Sequence, residues 1–132
     1  MAPPFTRKKL TEVEDSAPRF GLGDNQHARF ANGDLEVEST GVSLLQLAAG
    51  KRSAFGHRHE NAEEVYVVLA GSGRVKLDDE IVDVEPMDAI RVSPEVIRAF
   101  EAGPAGIEVL AFGPRHEGDG ELVQGWWPAG AE

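Results

Sequence analysis

The residues best suited to chemistry in this chain lie in one stretch, residues 56–73, GHRHENAEEVYVVLAGSG. Imidazole nitrogens and carboxylate oxygens are the donors that hold divalent first-row metals. His57 and His59 are one residue apart, so in an extended chain both face the same side while Arg58 points away. A glutamate on the next strand, facing the same interior, completes a three-ligand set. Glu63 and Glu64 are consecutive, so at most one of them faces inward. The local pattern admits either Glu64, Tyr66, Val68 or Glu63, Val65, Val67, Leu69 as the inner row. His27 and His116 each lie in a polar, glycine-containing segment and read as surface residues, although either is conceivable as a further ligand. The chain has no cysteine, which excludes disulfides, thiol catalysis, thiolate metal sites and iron–sulfur clusters. It has no local Ser/His/Asp signature and no glycine loop followed by lysine, so nucleotide chemistry is not indicated.

The elements that must position these residues are strands. VYVVLA, residues 65–70, is rich in β-branched and aromatic residues and meets Gly71-Ser72-Gly73, which reads as a turn. Leu35, Val37 and Ser39 alternate with Glu36 and Glu38, the pattern of a strand with one wet face. Val42 to Ala48 is a further strand. Arg74–Leu77 and Ile81–Val84 flank Asp78-Asp79-Glu80 as a hairpin. Residues 88–92, 96–101 and 107–112 follow, separated by Ser93-Pro94 and Gly103-Pro104. Pro86, Pro94, Pro104 and Pro114 would each interrupt a helix, and no amphipathic helix stands out. Short strands at regular spacing predict an all-β sandwich or barrel. Residues 1–24 read as an extended N-terminal arm that docks on the domain or on a neighbouring subunit, and residues 25–132 as the barrel with its tail. Trp126-Trp127 in that tail read as an aromatic plug over the barrel or as a subunit contact.

With 132 residues the chain is long enough for one hydrophobic core and too short for two. Its net charge of −10 repels phosphate backbones and anionic lipid, so no nucleic acid and no membrane is expected as partner. The start lacks an apolar signal core and no run reaches membrane-spanning length, so the expected location is cytoplasmic.

Two segments carry a family resemblance. His57-Arg58-His59, four residues, Glu64, six residues and Gly71 resemble the first motif of the cupin superfamily, and this spacing selects Glu64 over Glu63. Upstream, Gly50 lies one residue further away than that pattern asks. Pro86 to Pro94 resembles the second motif, Pro-x-Gly-Asp followed by a strand and a proline, with Asp88 where the motif has its glycine. The resemblance covers about residues 40–113 and implies a double-stranded β-helix (a cupin or jelly-roll barrel), often found as a homodimer. It also implies a last metal-binding histidine a few residues after the proline. Here that position is Arg98, which stays protonated and has no lone pair for a metal.

Three expectations follow. In the first, His57, His59, Glu64, Arg98 and Tyr66 form a pocket for a small anionic or polar molecule, with Arg98 paired to Glu64. In the second, His57, His59 and Glu64 hold iron, manganese, nickel or zinc in an oxygenase- or isomerase-type enzyme, and Arg98 grips a substrate carboxylate. In the third, the barrel is a non-catalytic scaffold or sensor subunit.

Overall fold

A computed structural model describes residues 3–114, 118–123 and 127. The described residues form eight antiparallel strands: β1 (Gln26–Phe30), β2 (Thr40–Leu47), β3 (Gly56–His59), β4 (Glu64–Leu77), β5 (Glu80–Val84), β6 (Ala89–Val92), β7 (Arg98–Pro114) and β8 (Gly120–Val123). One part of the sheet runs β1-β2-β7-β3-β8, and β4 pairs with β5, β6 and β7. β7 therefore joins both parts, pairing with β4 along its length, with β2 over its second half and with β3 at Arg98. Inward side chains close over one core that includes Tyr66, Val68, Val75, Phe100, Val109 and Ala111. This curled sheet is the expected double-stranded β-helix. No helix among the described residues is long and apolar enough to cross a membrane.

Several local expectations are corrected. Residues 35–39 form no strand. Asn32–Leu35 makes a single α-helical turn, α1, closed by Leu35 N–H donating to Ala31 O, and Glu36 turns left-handed at φ 56°. Asn32 Oδ1 accepts from Val42 N, and this side-chain bond outcompetes a short alternation with no partner strand. Gly71-Ser72-Gly73 does not end a strand. β4 runs through it with shifts in register, because β7 comes so close that glycine is required there. β7 likewise runs unbroken through Gly103-Pro104. The glycine-like turn before β6 falls on Met87, at φ 75°, and not on Asp88, whose Oδ2 instead accepts from Glu85 N. The hairpin at Asp78-Asp79 forms as expected, pairing Leu77 with Glu80.

The N-terminal arm is not extended throughout: it makes short 3-10 helices at Leu10–Glu12 and Ala17–Phe20, and Asp15 between them contacts β1. Asp15 Oδ1 accepts from Ala17 N and Ala28 N at 3.0 Å each, while Oδ2 lies 2.6 Å from His27 Nδ1. Val13 and Ala17 are buried beside these contacts. Burial pushes the Asp15 carboxyl up, but the amide of Ala28, His27 and the amide of Ala17 outweigh it and hold it at about 2, below its ordinary 3.8. A depressed carboxyl stabilises the fold above its unfolded value and loses that contribution as pH falls through the folded one. Melting temperature should therefore drop between pH 3.8 and about 2, and Asp15→Asn should flatten that part of the profile. An unchanged slope in the variant would remove Asp15 as the arm's acid-sensitive anchor.

Candidate functional site

The period-two geometry of β3 turns both histidines inward, and β8 holds that strand from the other side, pairing Leu122 with His57 and Gly120 with His59. On β4, Glu64 shares the inner row with buried Tyr66 and Val68. Glu63 points out to solvent and meets Arg91 at 3.0 Å. Arg98 opens β7 directly opposite His57. The structure thus brings together all five residues expected at the site.

They converge on one oxygen. Glu64 Oε1 accepts from Tyr66 OH at 2.7 Å and from Arg98 Nη2 at 3.0 Å, with His59 Nε2 at 2.9 Å and His57 Nε2 at 3.3 Å. Arg98 is 0% exposed. Its Nη1 donates to Pro94 O at 3.1 Å and Val96 O at 2.6 Å, and its Nε donates to the Tyr66 oxygen at 3.2 Å. A guanidinium has five N–H donors, and four of them are engaged by these contacts. Arg98 is therefore built into the barrel, and the expected two-pronged grip on a substrate carboxylate is not available to it. Burial pushes the Glu64 carboxyl up, but contacts with His57, His59 and Tyr66 overcome this and hold it far below the usual carboxylate range. Burial and the neighbouring Glu64 charge push the Tyr66 phenol up, which keeps its hydroxyl a donor.

Sequence reasoning missed one residue, Asp119. Its Oδ1 accepts from Asn61 N at 2.8 Å and Asn61 Nδ2 at 2.9 Å, and its Oδ2 accepts from Ala62 N at 2.9 Å. The same Oδ2 lies 3.2 Å from His59 Nδ1. Gly118-Asp119-Gly120 signals a turn in the sequence, but nothing there says which histidine the turn will meet. His27 is tied to Asp15, away from this group, and His116 lies outside the described residues. Of the two tail tryptophans only Trp127 is described, with the Arg52 guanidinium 4.9 Å from its ring centre.

The donors of His57, His59 and Glu64 all lie within 4.8 Å of one another, close enough to share one metal ion. His59 supplies a test of that fit. Its two ring nitrogens each lie close to a carboxylate, yet neither makes a well-directed hydrogen bond among the described residues, although both are buried. A neutral imidazole carries one N–H, so whichever nitrogen holds it, the other sets a lone pair near a carboxylate. A second proton on the ring or a cation beside Nε2 removes the conflict. A carboxylate behind the far nitrogen of a histidine is also how metal-binding imidazoles are commonly oriented. The three-residue set fits a divalent ion, with Arg98 standing where a fourth ligand is lacking.

Above this group the barrel holds a cavity of about 420 Å³. His57, His59, Glu64, Tyr66 and Arg98 form its polar base, while Leu45, Phe55 and Phe100 are among its apolar walls, and Phe30 and Leu122 are well exposed to solvent. A hollow of about 470 Å³ beside Ser72, Arg74, Asp83 and Glu101 contains none of these groups, so its size gives it no claim on the chemistry.

A curled eight-stranded barrel with two histidines and a glutamate facing inward defines a double-stranded β-helix protein with an internal polar site. The cupin domain model matches residues 43–110, and the chain belongs to that family. An uncharacterized protein of Methanocaldococcus jannaschii is 30% identical over 71 residues, 52% of this chain and 57% of that protein, so the match spans little more than half of the relative. Among solved structures, the polyketide cyclase RemF from Streptomyces resistomycificus is similar at TM-score 0.73 and 17% identity, covering 96% of this chain and 89% of the other. A cupin protein from Bacteroides fragilis is similar at TM-score 0.70 and 20% identity, covering 88% of each chain. A sugar phosphate isomerase from Silicibacter pomeroyi is similar at TM-score 0.70 and 15% identity, covering 91% and 93%. At these identities the structural likeness shows the fold alone.

Proposed function

We propose that this cupin binds a small organic molecule inside the barrel, with the molecule's polar end at the His57–His59 base and its body against the apolar walls. The observation that carries this reading is the cavity itself, which sets the polar residues of the site beside a mainly apolar lining that includes Leu45, Phe55 and Phe100, with Ser43 and Ser53 among them. Its volume falls within the range of about 300–1,000 Å³ usual for small-molecule sites. Filling the cavity from the wall with Ser43→Phe should abolish the melting-temperature shifts that library compounds give the native protein. Equal shifts in both proteins would place the binding elsewhere. Homodimerisation belongs to the same proposal, supported by the exposed Leu69 and Phe112, and light scattering reads it directly.

A second reading is favoured by His59, set between Glu64 and Asp119. In it, His57, His59 and Glu64 hold a divalent ion, which when bound would supply a Lewis acid with positions open to a ligand. Asp119 then keeps the His59 ring turned toward the ion, Tyr66 and Arg98 steady the carboxylate, and the apolar walls exclude water. Elemental analysis of untagged protein purified without chelators should find iron, manganese, nickel or zinc near one per chain. The metal should be lost in His59→Ala. Metal-free protein that gains an ion on Arg98→His would instead identify Arg98 as the block to binding.

A further inference from the structure

We infer that the molecule bound in the metal-free barrel is neutral and mostly apolar, with a single hydrogen-bonding head, and is not an anion. This rests on the cavity-binding reading above and narrows it to a ligand class. An anion entering the cavity needs a cation or several free donors to replace its water, since an unpaired buried charge is costly. Arg98 is the only arginine or lysine among the lining residues described, and its guanidinium is sealed from solvent and committed to Glu64, Tyr66 and two backbone carbonyls. Arg58 points away from the site and pairs with Glu121 at 3.0 Å.

The fixed charges at the base are the carboxylates of Glu64 and Asp119 against the single cation of Arg98. With His57 neutral the sum is one negative charge when His59 is neutral too and zero when its ring carries a second proton, so the base offers an entering carboxylate or phosphate no net positive charge. The walls select for the rest of the molecule. Phe55, Phe100 and Leu45 line the chamber, and Phe30 and Leu122 continue the apolar surface to solvent. Such walls reward an aromatic or alicyclic body in proportion to the apolar area removed from water. His57, with 31% of its side chain exposed, is the most accessible polar group of the base and the natural partner for a hydroxyl or carbonyl head.

The test compares two probes of one shape, 2-naphthol and 2-naphthoate, titrated by calorimetry at neutral pH into full-length protein. The protein is first freed of divalent metal with a chelator, and its metal content is checked. Naphthol should bind, naphthoate should bind at least tenfold more weakly, and Phe55→Ser should weaken naphthol severalfold. Naphthoate binding as tightly as naphthol, or tighter, overturns the assignment of ligand class and leaves the cavity reading standing. If neither probe binds, both fall.

Discussion

Arg98→Met should destabilise the barrel by about 3–5 kcal/mol, the usual cost of removing one partner from a buried ion pair. The size of the loss comes from what is left behind. Without the guanidinium, Glu64 keeps its charge beside an apolar replacement, and the carbonyls of Pro94 and Val96 lose their donor. Arg98→Lys should recover less than half of the loss, because one ammonium cannot reach Glu64, Tyr66 and two carbonyls in the directions that a planar fork does. The double variant Glu64→Gln with Arg98→Met should be more stable than the sum of the single losses implies, since the partners are in direct contact at 3.0 Å. Denaturant midpoints at unchanged slope read the native protein, the three single variants Arg98→Met, Arg98→Lys and Glu64→Gln, and the double variant. A loss of under about 1 kcal/mol in Arg98→Met would show that the pair contributes little, the outcome typical of exposed salt bridges.

The same geometry bears on function. Once Arg98 is a structural member of the barrel, the accessible groups of the site are the His57 imidazole and the apolar walls. Glu64 serves two demands at once, neutralising Arg98 and facing both histidines through one oxygen. A metal would have to share that carboxylate with Arg98 and Tyr66. A metal-free site keeps it as the acceptor at the centre of the polar base. Either way the Glu64–Arg98 pair sets the electrostatic starting point for whatever enters the cavity.

Much of this arrangement was legible in the sequence, for definable reasons. Alternation and β-branched runs located most strands, and motif spacing chose Glu64 over Glu63 where parity could not. The Arg98–Glu64 contact follows from residue type, because a lone arginine inside a barrel needs an anion. What stayed hidden depended on contacts distant in sequence. β8 has too few residues to announce itself and is defined by its pairing with β3. Asp119 meets the segment at Asn61 and Ala62 across 57–58 positions. The helical turn at Asn32 depends on a side chain that bonds Val42 on the next strand. Gly71 and Gly73 misled for a different reason: glycine serves a turn and a close backbone approach equally well, and sequence alone does not tell the two apart.

That ambiguity yields the second large effect. Gly73→Ala should cost more than about 4 kcal/mol or prevent accumulation of folded protein, well beyond the typical point mutation. A Cβ there would lie 2.0 Å from the carbonyl oxygen of Glu101, which is backbone and cannot swing aside. Gly71→Ala should be at least as damaging, because its Cβ would meet Gly106 O at 2.0 Å and its φ is +73°. Gly50→Ala is the control. It shares a left-handed φ of +69° but meets nothing within 4 Å, so it should cost only about 1–2 kcal/mol for the backbone conformation. If Gly71→Ala costs no more than Gly50→Ala, conformation alone explains both, and a loss of under about 1 kcal/mol in Gly73→Ala, where φ is not left-handed, would show that the close approach of β4 to β7 is not limiting. The consequence reaches the site, because β4 carries Glu64 at one end while Leu77 at its other end pairs with Arg98. The shifts in register around the two glycines help set where the two members of the ion pair stand relative to one another. A Gly73 variant rescued enough to fold should therefore report the damage at the ion pair as well, with a further Arg98→Met costing less than it does in the native protein.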